Sequence, residues 1–394
     1  MHSAMTSDIT ALTFRPELVT PGERWVYSAG ANVVPGCVTA PRITEEVPDL
    51  RALTAAQAVV VVLSHQGSYR DGSAGSLGHV AQAWRSVGLP VRLMDAPWEV
   101  GDAVRGIPGS ITLLPNTRLS PGEEDCDPDL ARAYATLGAK AIVGGFSKSH
   151  RRNASNFGLM EHLPTWISRG LALELDVLQP IRTGPLGALV LGGMKREKVL
   201  ALFSDLTSRA HCVLPTGGVL NALLHAQGIG VGNSRRPHLD EEERRRLVQA
   251  VHTLGDRIIL PHEVLLTEEI SGSSHWAPLS VPIPAGWAIR DLRWSPEHLG
   301  RIAEVLGSVP TAVIAGPPGD VRGGFVVGAQ SLSNLLAPLR DGAFFLGGDT
   351  CEEIEVTGTA SPGGGAALEY LGRGTCLVVE HLRSIRLEGT FNDD

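Results

Sequence analysis

Residues 58–94 read AVVVVLSHQGSYRDGSAGSLGHVAQAWRSVGLPVRLM. Ala58–Leu63 is an unbroken apolar run rich in β-branched residues, which predicts a buried strand. Leu77–Val87 follows with helical spacing, and Val91–Met94 predicts another strand. Outward from this unit the rhythm continues. Ser110–Leu114 and Ala141–Val143 predict strands, with a helix at Asp129–Leu137 between them. Strands separated by helices of about ten residues indicate parallel βαβ units.

The second half repeats the pattern. Ala188–Leu191 predicts a strand running into a helix around Lys195–Leu206. Cys212–Leu214 leads to a helix at Val219–Gln227, and Arg257–Leu260, Thr311–Ile314 and Ala343–Leu346 predict further strands. The expectation is two α/β domains of similar size joined near Leu173–Pro185. Leu239–Gly255 holds four acidic residues ahead of three arginines, which predicts a capped amphipathic helix rather than a basic binding patch.

Composition narrows the classes. The chain has 394 residues, enough for two domains with cores of their own. Its 43% apolar and 19% charged content is globular. A net charge of −8 argues against a general nucleic-acid binder, which needs a basic face for phosphates. The five cysteines, Cys37, Cys126, Cys212, Cys351 and Cys376, are scattered and form no CxxC pair, a poor disulfide or zinc framework. Met1–Pro16 does not read as a secretory signal, and no apolar run approaches the ~20 residues of a membrane span. The expectation is a soluble cytoplasmic protein.

Glycine is the unusual count, at 46. Gly192-Gly193, Gly217-Gly218, Gly316-Pro317-Pro318-Gly319 and Gly347-Gly348 each follow a predicted strand of the second half. Gly363-Gly364-Gly365 precedes the alanine-rich helix Ala366–Leu371. Ligands of parallel α/β sheets bind outside the carboxyl ends of strands, where helix N-termini offer N–H groups to phosphates. A nucleotide site is the reading these clusters support, although tight-turn packing explains any one of them. There is no GxxxxGK[ST] and no GxGxxG at the first βαβ unit. Lys195 is the expected cation for the phosphates. Asp349 is the expected Mg2+ carboxylate, because magnesium takes few protein carboxylates beside phosphate oxygens.

Seven segments, in order, resemble the phosphoglycerate kinase family. VVVVLSHQG (59–67) resembles that family's strand ending in Ser-His-x-Gly, and LLPNTRLSPGEED (113–125) its Glu-Asn-x-Arg-Phe-x-x-Gly-Glu-Glu segment. GGFSKSHRRNAS (144–155) resembles its Asp-Ala-Phe-Gly-Thr-Ala-His-Arg-x-x-Ala-Ser loop, and LVLGGMKREK (189–198) its Leu-Gly-Gly-Ala-Lys loop. GIGVGNS (228–234), LGGDT (346–350) and SPGGGAALEYL (361–371) also match.

The resemblance implies two Rossmann-like three-layer α/β/α lobes with parallel sheets, joined by a hinge helix. It places a carboxylate-binding lobe at 1–178, a nucleotide-binding lobe at 179–380, and a tail at 381–394 that packs back toward the first lobe. It implies a kinase that moves a phosphoryl group between Mg-ATP and a carboxylate, giving an acyl phosphate. ATP or ADP and Mg2+ are the implied cofactors, and a small carboxylate the partner. No nucleic acid or membrane is expected, and the chain is expected to be a monomer.

Carried over by position, Arg118 and Arg151 hold the substrate and Lys195 follows the transferred phosphate; these three are the implied catalytic residues. Asn32 and His65 join the substrate site. Asp349 matches the magnesium carboxylate and Thr350 a phosphate contact. Gly193, Gly217, Gly218, Gly316, Pro317, Gly347, Gly348, Gly363 and Gly364 lie where the family's backbone wraps the nucleotide.

The pattern also breaks. The family's Arg-x-Asp-x-Asn-Val-Pro reads Ser28-Ala29-Gly30-Ala31-Asn32-Val33-Val34, without the arginine and the aspartate. Its Thr-Arg-Ile-Arg reads Pro41-Arg42-Ile43-Thr44, leaving Arg42, two residues earlier, as the substitute cation. Arg-Pro becomes Ser68-Tyr69. The glutamate that binds ribose becomes Arg322, and the Lys-x-x-x-Lys spacing becomes Lys195 and Lys198, with Lys198 kept among the implied nucleotide-binding residues. Serine or threonine does not replace an arginine fork on a phosphate, at ~1.5–3 kcal/mol for each charged hydrogen bond. Three readings follow. The leading one is a carboxylate kinase of this family acting on an acid other than 3-phosphoglycerate in a biosynthetic pathway. The others are a glycolytic phosphoglycerate kinase and a nucleotide-binding relative without catalysis.

Overall fold

A computed structural model describes residues 9–33, 40–94 and 106–388. Val34 and Cys37 fall outside these residues. The chain divides into two compact units, Met1–Val177 with Thr375–Asp394, and Leu178–Gly374. It passes from one to the other within the helix Arg169–Arg182.

The first unit holds a six-stranded parallel sheet: β1 (Arg24–Ser28), β2 (Val59–Leu63), β3 (Val91–Leu93), β4 (Ile111–Leu113), β5 (Lys140–Val143) and β6 (Thr165–Ile167). Their order is β3-β4-β2-β1-β5-β6. The β2 run shows why the sequence is unbroken there. Val60 and Val62 pack on one face of the sheet with Trp25, Tyr27 and Trp84. Val61 and Leu63 pack on the other with Val26, Leu114 and Tyr134. A strand covered on both faces has no polar alternation. The sequence reading did not place β1 or β6.

The second unit holds a five-stranded parallel sheet: β7 (Leu186–Leu191), β8 (Ala210–Pro215), β12 (Ala312–Ala315), β13 (Ala343–Leu346) and β14 (Thr359–Ser361), in the order β14-β13-β12-β7-β8. Between β8 and β12 lies a three-stranded antiparallel sheet of β9 (Glu263–Glu268), β10 (Ser274–Pro278) and β11 (Trp287–Arg293), ordered β10-β9-β11. This sheet corrects the expectation of parallel strands alone. Its strands carry many polar and partly exposed residues, so no apolar run announces them.

Three further expectations change. Arg257–Leu260 is not a strand: Gly255–Arg257 is a 3-10 turn, and only Ile258 bridges to Val213 before Pro261. The helix expected at Lys195–Leu206 is broken into Arg196–Leu200, a turn at Ala201–Phe203, and Asp205–Ser208. The Ser204 and Thr207 hydroxyls both donate to the Ala201 carbonyl, at 2.7 Å each, which competes with helix propagation. The C-terminal helix Leu377–Leu387 clusters with the first unit from Thr375 on, so residues 375–380 do not belong to the second lobe. Its apolar face (Val378, Leu382, Ile385) is buried, and Val378 N–H donates to Ser149 O at 3.0 Å. The Leu239–Gly255 charges form the helix Glu241–Leu254, capped by Asp240 in a capping box with Glu243.

Candidate functional site

In the second unit the five glycine clusters stand at the carboxyl ends of the five parallel strands. Strand order reverses between β7 and β12, the place where α/β sheets open a ligand crevice. There Gly316 holds φ +107°, and a Cβ on it would lie 2.0 Å from the Gly192 carbonyl oxygen. A cavity of about 380 Å3 opens beside them, lined by Gly193, Gly217, Gly218, Pro317 and Asp349 of the expected residues.

At this cavity Lys195 Nζ donates to Asp349 Oδ2 at 2.9 Å, and Arg322 stands 3.8 Å from the other oxygen. Burial works to raise the Asp349 carboxyl, but Lys195, Arg322 and Lys198 outweigh it and hold it below the usual range. Lys198 is buried. Burial, reinforced by Lys195, pushes its ammonium down to about 8. Its Nζ lies 3.1 Å from where a Cβ on Gly364 would stand and 3.8 Å from one on Gly347. Lys195 is the extended residue before the helix Arg196–Leu200, and Lys198 is inside its first turn. The short spacing therefore still brings both ammonium groups to the loops after β13 and β14.

The Thr350 hydroxyl is engaged by backbone groups. The residue is buried, its hydroxyl donates to Leu346 O at 2.6 Å, and it accepts from Gly316 N–H at 2.8 Å. It fixes the β12 and β13 ends to each other. Gly347 and Gly363 are the residues before the helices that begin at Gly348 and Gly364. The sequence reading missed the far wall: Asn221, Asn233, Arg235, Glu269, Arg290, Asp320 and Glu353 also line the cavity. Arg290 lies on β11, in the sheet the pattern did not reveal. Asn233 sits in the GIGVGNS segment and was legible there.

In the first unit the residues expected for an acid site stand at the carboxyl ends of β4, β2, β1 and β5, which are neighbours in the sheet. His65 follows β2, Arg118 follows β4, and Arg151 follows β5. Asn116 ties the first two loops together. Its Oδ1 accepts from Gln66 N–H at 3.1 Å and Arg118 N–H at 2.9 Å, and its Nδ2 donates to Gln66 O and Gly75 O. Glu123 joins the β4 and β5 loops by accepting from Ser155 N–H and Oγ, at 3.1 and 2.6 Å.

Arg118 is only 2% exposed and pairs with Glu124, while its Nε is buried without a partner. Glu124 also accepts from Ser68 Oγ at 2.7 Å and Tyr69 N–H at 3.0 Å. Arg42 donates to Asn32 O at 3.1 Å. Arg151 is exposed, and neighbouring Arg152 lies over the Phe157 ring at 4.2 Å. Burial holds the His65 imidazolium form well below its usual range, and Lys148, Arg118, Arg151 and Arg42 push it further down. His65 is therefore neutral near pH 7. The four cations acting on it mark one positive region. Lys148, the member absent from the expected set, was in plain view within GGFSKSHRRNAS.

A family model described as phosphoglycerate kinase matches residues 35–373. The chain belongs to the phosphoglycerate kinase family. A phosphoglycerate kinase of Rhodospirillum centenum is 31% identical over 353 residues, covering 84% of this chain and 88% of the relative. One of Thermus thermophilus is 31% identical over 357 residues, covering 85% and 89%. Among solved structures, phosphoglycerate kinase from Pyrococcus horikoshii OT3 aligns with TM-score 0.73 at 20% identity, over 95% of this chain and 99% of that one. The enzyme from Coxiella burnetii aligns with TM-score 0.67 at 22% identity, over 92% and 97%. These two show the fold.

Phosphoglycerate kinases use ATP or ADP with Mg2+, and the donor set here fits that use. No group of three or more His, Cys, Asp or Glu is poised for a metal among the described residues. Asp349, ionised and half-exposed beside two lysines, suits a magnesium ion that takes its other ligands from phosphates and water. Among the described residues no helix is long and apolar enough to cross a membrane.

Proposed function

We propose that the protein transfers a phosphoryl group between ATP and the carboxylate of 3-phosphoglycerate, forming the acyl phosphate and ADP. The observation that carries this reading is that His65, Arg118, Lys148 and Arg151 stand in the loops after β2, β4 and β5, at the carboxyl ends of the first sheet. A small acid that carries a phosphate beside its carboxylate is the ligand such a region favours. The relatives at 31% identity, both named phosphoglycerate kinase, support the same acid. The comparisons give no support to a different acid, which the missing arginines at positions 28, 44 and 68 suggested. Lys148 supplies positive charge that a residue-by-residue comparison overlooks.

In this reading a carboxylate oxygen of the acid attacks the γ-phosphorus while the bond to the ADP oxygen breaks. The chain supplies positioning and charge rather than a covalent nucleophile. Lys195 and Lys198 meet phosphate oxygens. Asp349, kept ionised, would hold Mg2+, whose charge offsets that of the phosphates. Arg118 and Arg151 hold the acid, and neutral His65 serves as a hydrogen-bonding partner for it.

The test is ADP release with 3-phosphoglycerate against glycerate, lactate and acetate. The expected kcat/KM for 3-phosphoglycerate exceeds the others by more than about tenfold, because a phosphate gains at least one further charged hydrogen bond. A higher value for an unphosphorylated acid overturns the substrate assignment. ATP binding without turnover of any acid would favour the non-catalytic reading.

A further inference from the structure

Lys148 belongs to no expected site, yet its surroundings are those of a ligand group. The similar loop of the family has threonine at this place, and Ser28 stands where the family has arginine. Strand order in the first sheet reverses between β1 and β5. Lys148 ends the 3-10 turn Phe146–Lys148 on the β5 side of that point, and Ser28 ends β1 on the other. The two backbones close on each other there, since a Cβ on Gly30 would lie 2.3 Å from Gly145 Cα.

Lys148 is 3% exposed and reaches across to donate to Ser28 Oγ. An ammonium has three donors. Ser28 Oγ is its one hydrogen-bond acceptor among the described residues, and no carboxylate oxygen comes within 4 Å. Of the carboxylates whose charges act on it, Glu46 and Glu123 are hydrogen-bonded elsewhere, and Glu45 keeps one buried oxygen without a partner. Glu46 accepts from Tyr27 Oη and Gly30 N–H, at 2.6 Å each, and Glu123 accepts from Ser155. Beside it, Arg118 Nε is also buried without a partner. Two buried cations at a strand switch point thus keep donors available for the anionic oxygens of a ligand.

We propose that Lys148 is a specificity-determining residue of the acid site, donating to an anionic oxygen of the substrate in place of the arginine missing at Ser28. The inference rests on the proposed function for the name of the acid, but not for its charge. The groups around Lys148 are Ser28, which accepts from it, the charged Glu45, Glu46, Arg118 and Glu123, the imidazole of His65, and Arg151, whose backbone N–H donates to Lys148 O. Burial holds the Lys148 ammonium down at about 8 against the pull of Glu46, Glu123 and Glu45. Burial raises Glu46 to about 7. Both titrations add negative charge to the site as pH rises, and His65 stays neutral throughout. Anion affinity is therefore highest below about pH 6 and falls from pH 7 through pH 8.

The test compares the wild type with Lys148→Thr, Lys148→Arg and the double variant Ser28→Arg/Lys148→Thr. Two probes are used: KM and kcat for 3-phosphoglycerate, and calorimetric binding of inorganic sulfate. Lys148→Thr is expected to raise KM and weaken sulfate binding by about tenfold or more, the loss of one charged hydrogen bond, with ADP affinity unchanged. Lys148→Arg and the double variant are expected to recover most of that loss. Sulfate binding by Lys148→Thr equal to the wild type, or a double variant no better than Lys148→Thr, overturns the proposal. Wild-type sulfate affinity measured from pH 6 to 9 decides the matter even where Lys148→Thr does not fold: a fall through pH 8 supports the proposal, and a flat profile overturns it. A wild type that binds sulfate but does not turn over 3-phosphoglycerate removes the acid's name while leaving Lys148 tested.

Discussion

Gly316→Ala is the substitution on which the account of the nucleotide loops stands most exposed. The added Cβ would lie 2.0 Å from the Gly192 oxygen and 2.3 Å from its carbonyl carbon, both backbone atoms. Neither can rotate away, so the ends of β7 and β12 must separate by about 1 Å or more to reach ordinary packing. Overpacking of this kind costs about 1–3 kcal/mol. Residue 316 also holds φ +107°, where an L side chain adds about 1–3 kcal/mol of strain. The expected loss is about 2–6 kcal/mol, which lowers the melting temperature by roughly 4–24 °C at about 2–4 °C per kcal/mol for a unit of this size. Gly300→Ala is the control. Gly300 lies inside the helix Pro296–Ser308, and nothing stands within 4 Å of its would-be Cβ. There alanine is expected to stabilise by about 0.5–1 kcal/mol. Thermal unfolding of both variants followed by circular dichroism, with ADP binding alongside, reads the contrast. A Gly316→Ala protein that melts with the wild type would refute the idea that close backbone approach demands glycine here.

Asp349→Asn should leave stability within about 1 kcal/mol, because its ion pair with Lys195 is half-exposed, at 48% and 54% of the side chains. Its KM for Mg-ATP should nevertheless rise by about tenfold or more, as a charged contact is lost; steady-state kinetics at saturating acid measure this. Glu124→Gln leaves Arg118 buried without its carboxylate, and denaturant unfolding should report a loss of about 3 kcal/mol. Thr350→Val removes the acceptor of Gly316 N–H and should cost about 1–3 kcal/mol with KM for ATP unchanged. An unaltered melting temperature with a raised KM would return the Thr350 hydroxyl to the phosphates.

The α/β architecture was legible because strands such as β2 and β7 are covered on both faces and read as unbroken apolar runs. The antiparallel sheet was not, because β9–β11 mix polar and apolar residues and depend on each other for pairing. Arg257–Leu260 looks like a strand by composition, yet Pro261 follows it and it forms a single bridge. In the nucleotide site the glycines could be placed by order alone. Lys198 could be placed the same way although its spacing misses by one, and the structure shows its ammonium buried beside the loops after β13 and β14. Thr350 carried the right residue type in the right motif, but its hydroxyl is consumed by backbone. Lys148 was overlooked for the opposite reason. A comparison made position by position counts an arginine lost at Ser28, while the structure brings a cation to the same place from residues 120 positions away in the chain.

The central claim is that this chain phosphorylates the carboxylate of 3-phosphoglycerate. Its most direct measurement is the initial rate of ADP release from Mg-ATP with 3-phosphoglycerate, with hydroxylamine present to trap the acyl phosphate. The account predicts hydroxamate formed in step with ADP, abolished when the acid is omitted and strongly reduced in Asp349→Asn. ADP release without hydroxamate, or no release with this acid under conditions where Mg-ATP binds, would contradict it.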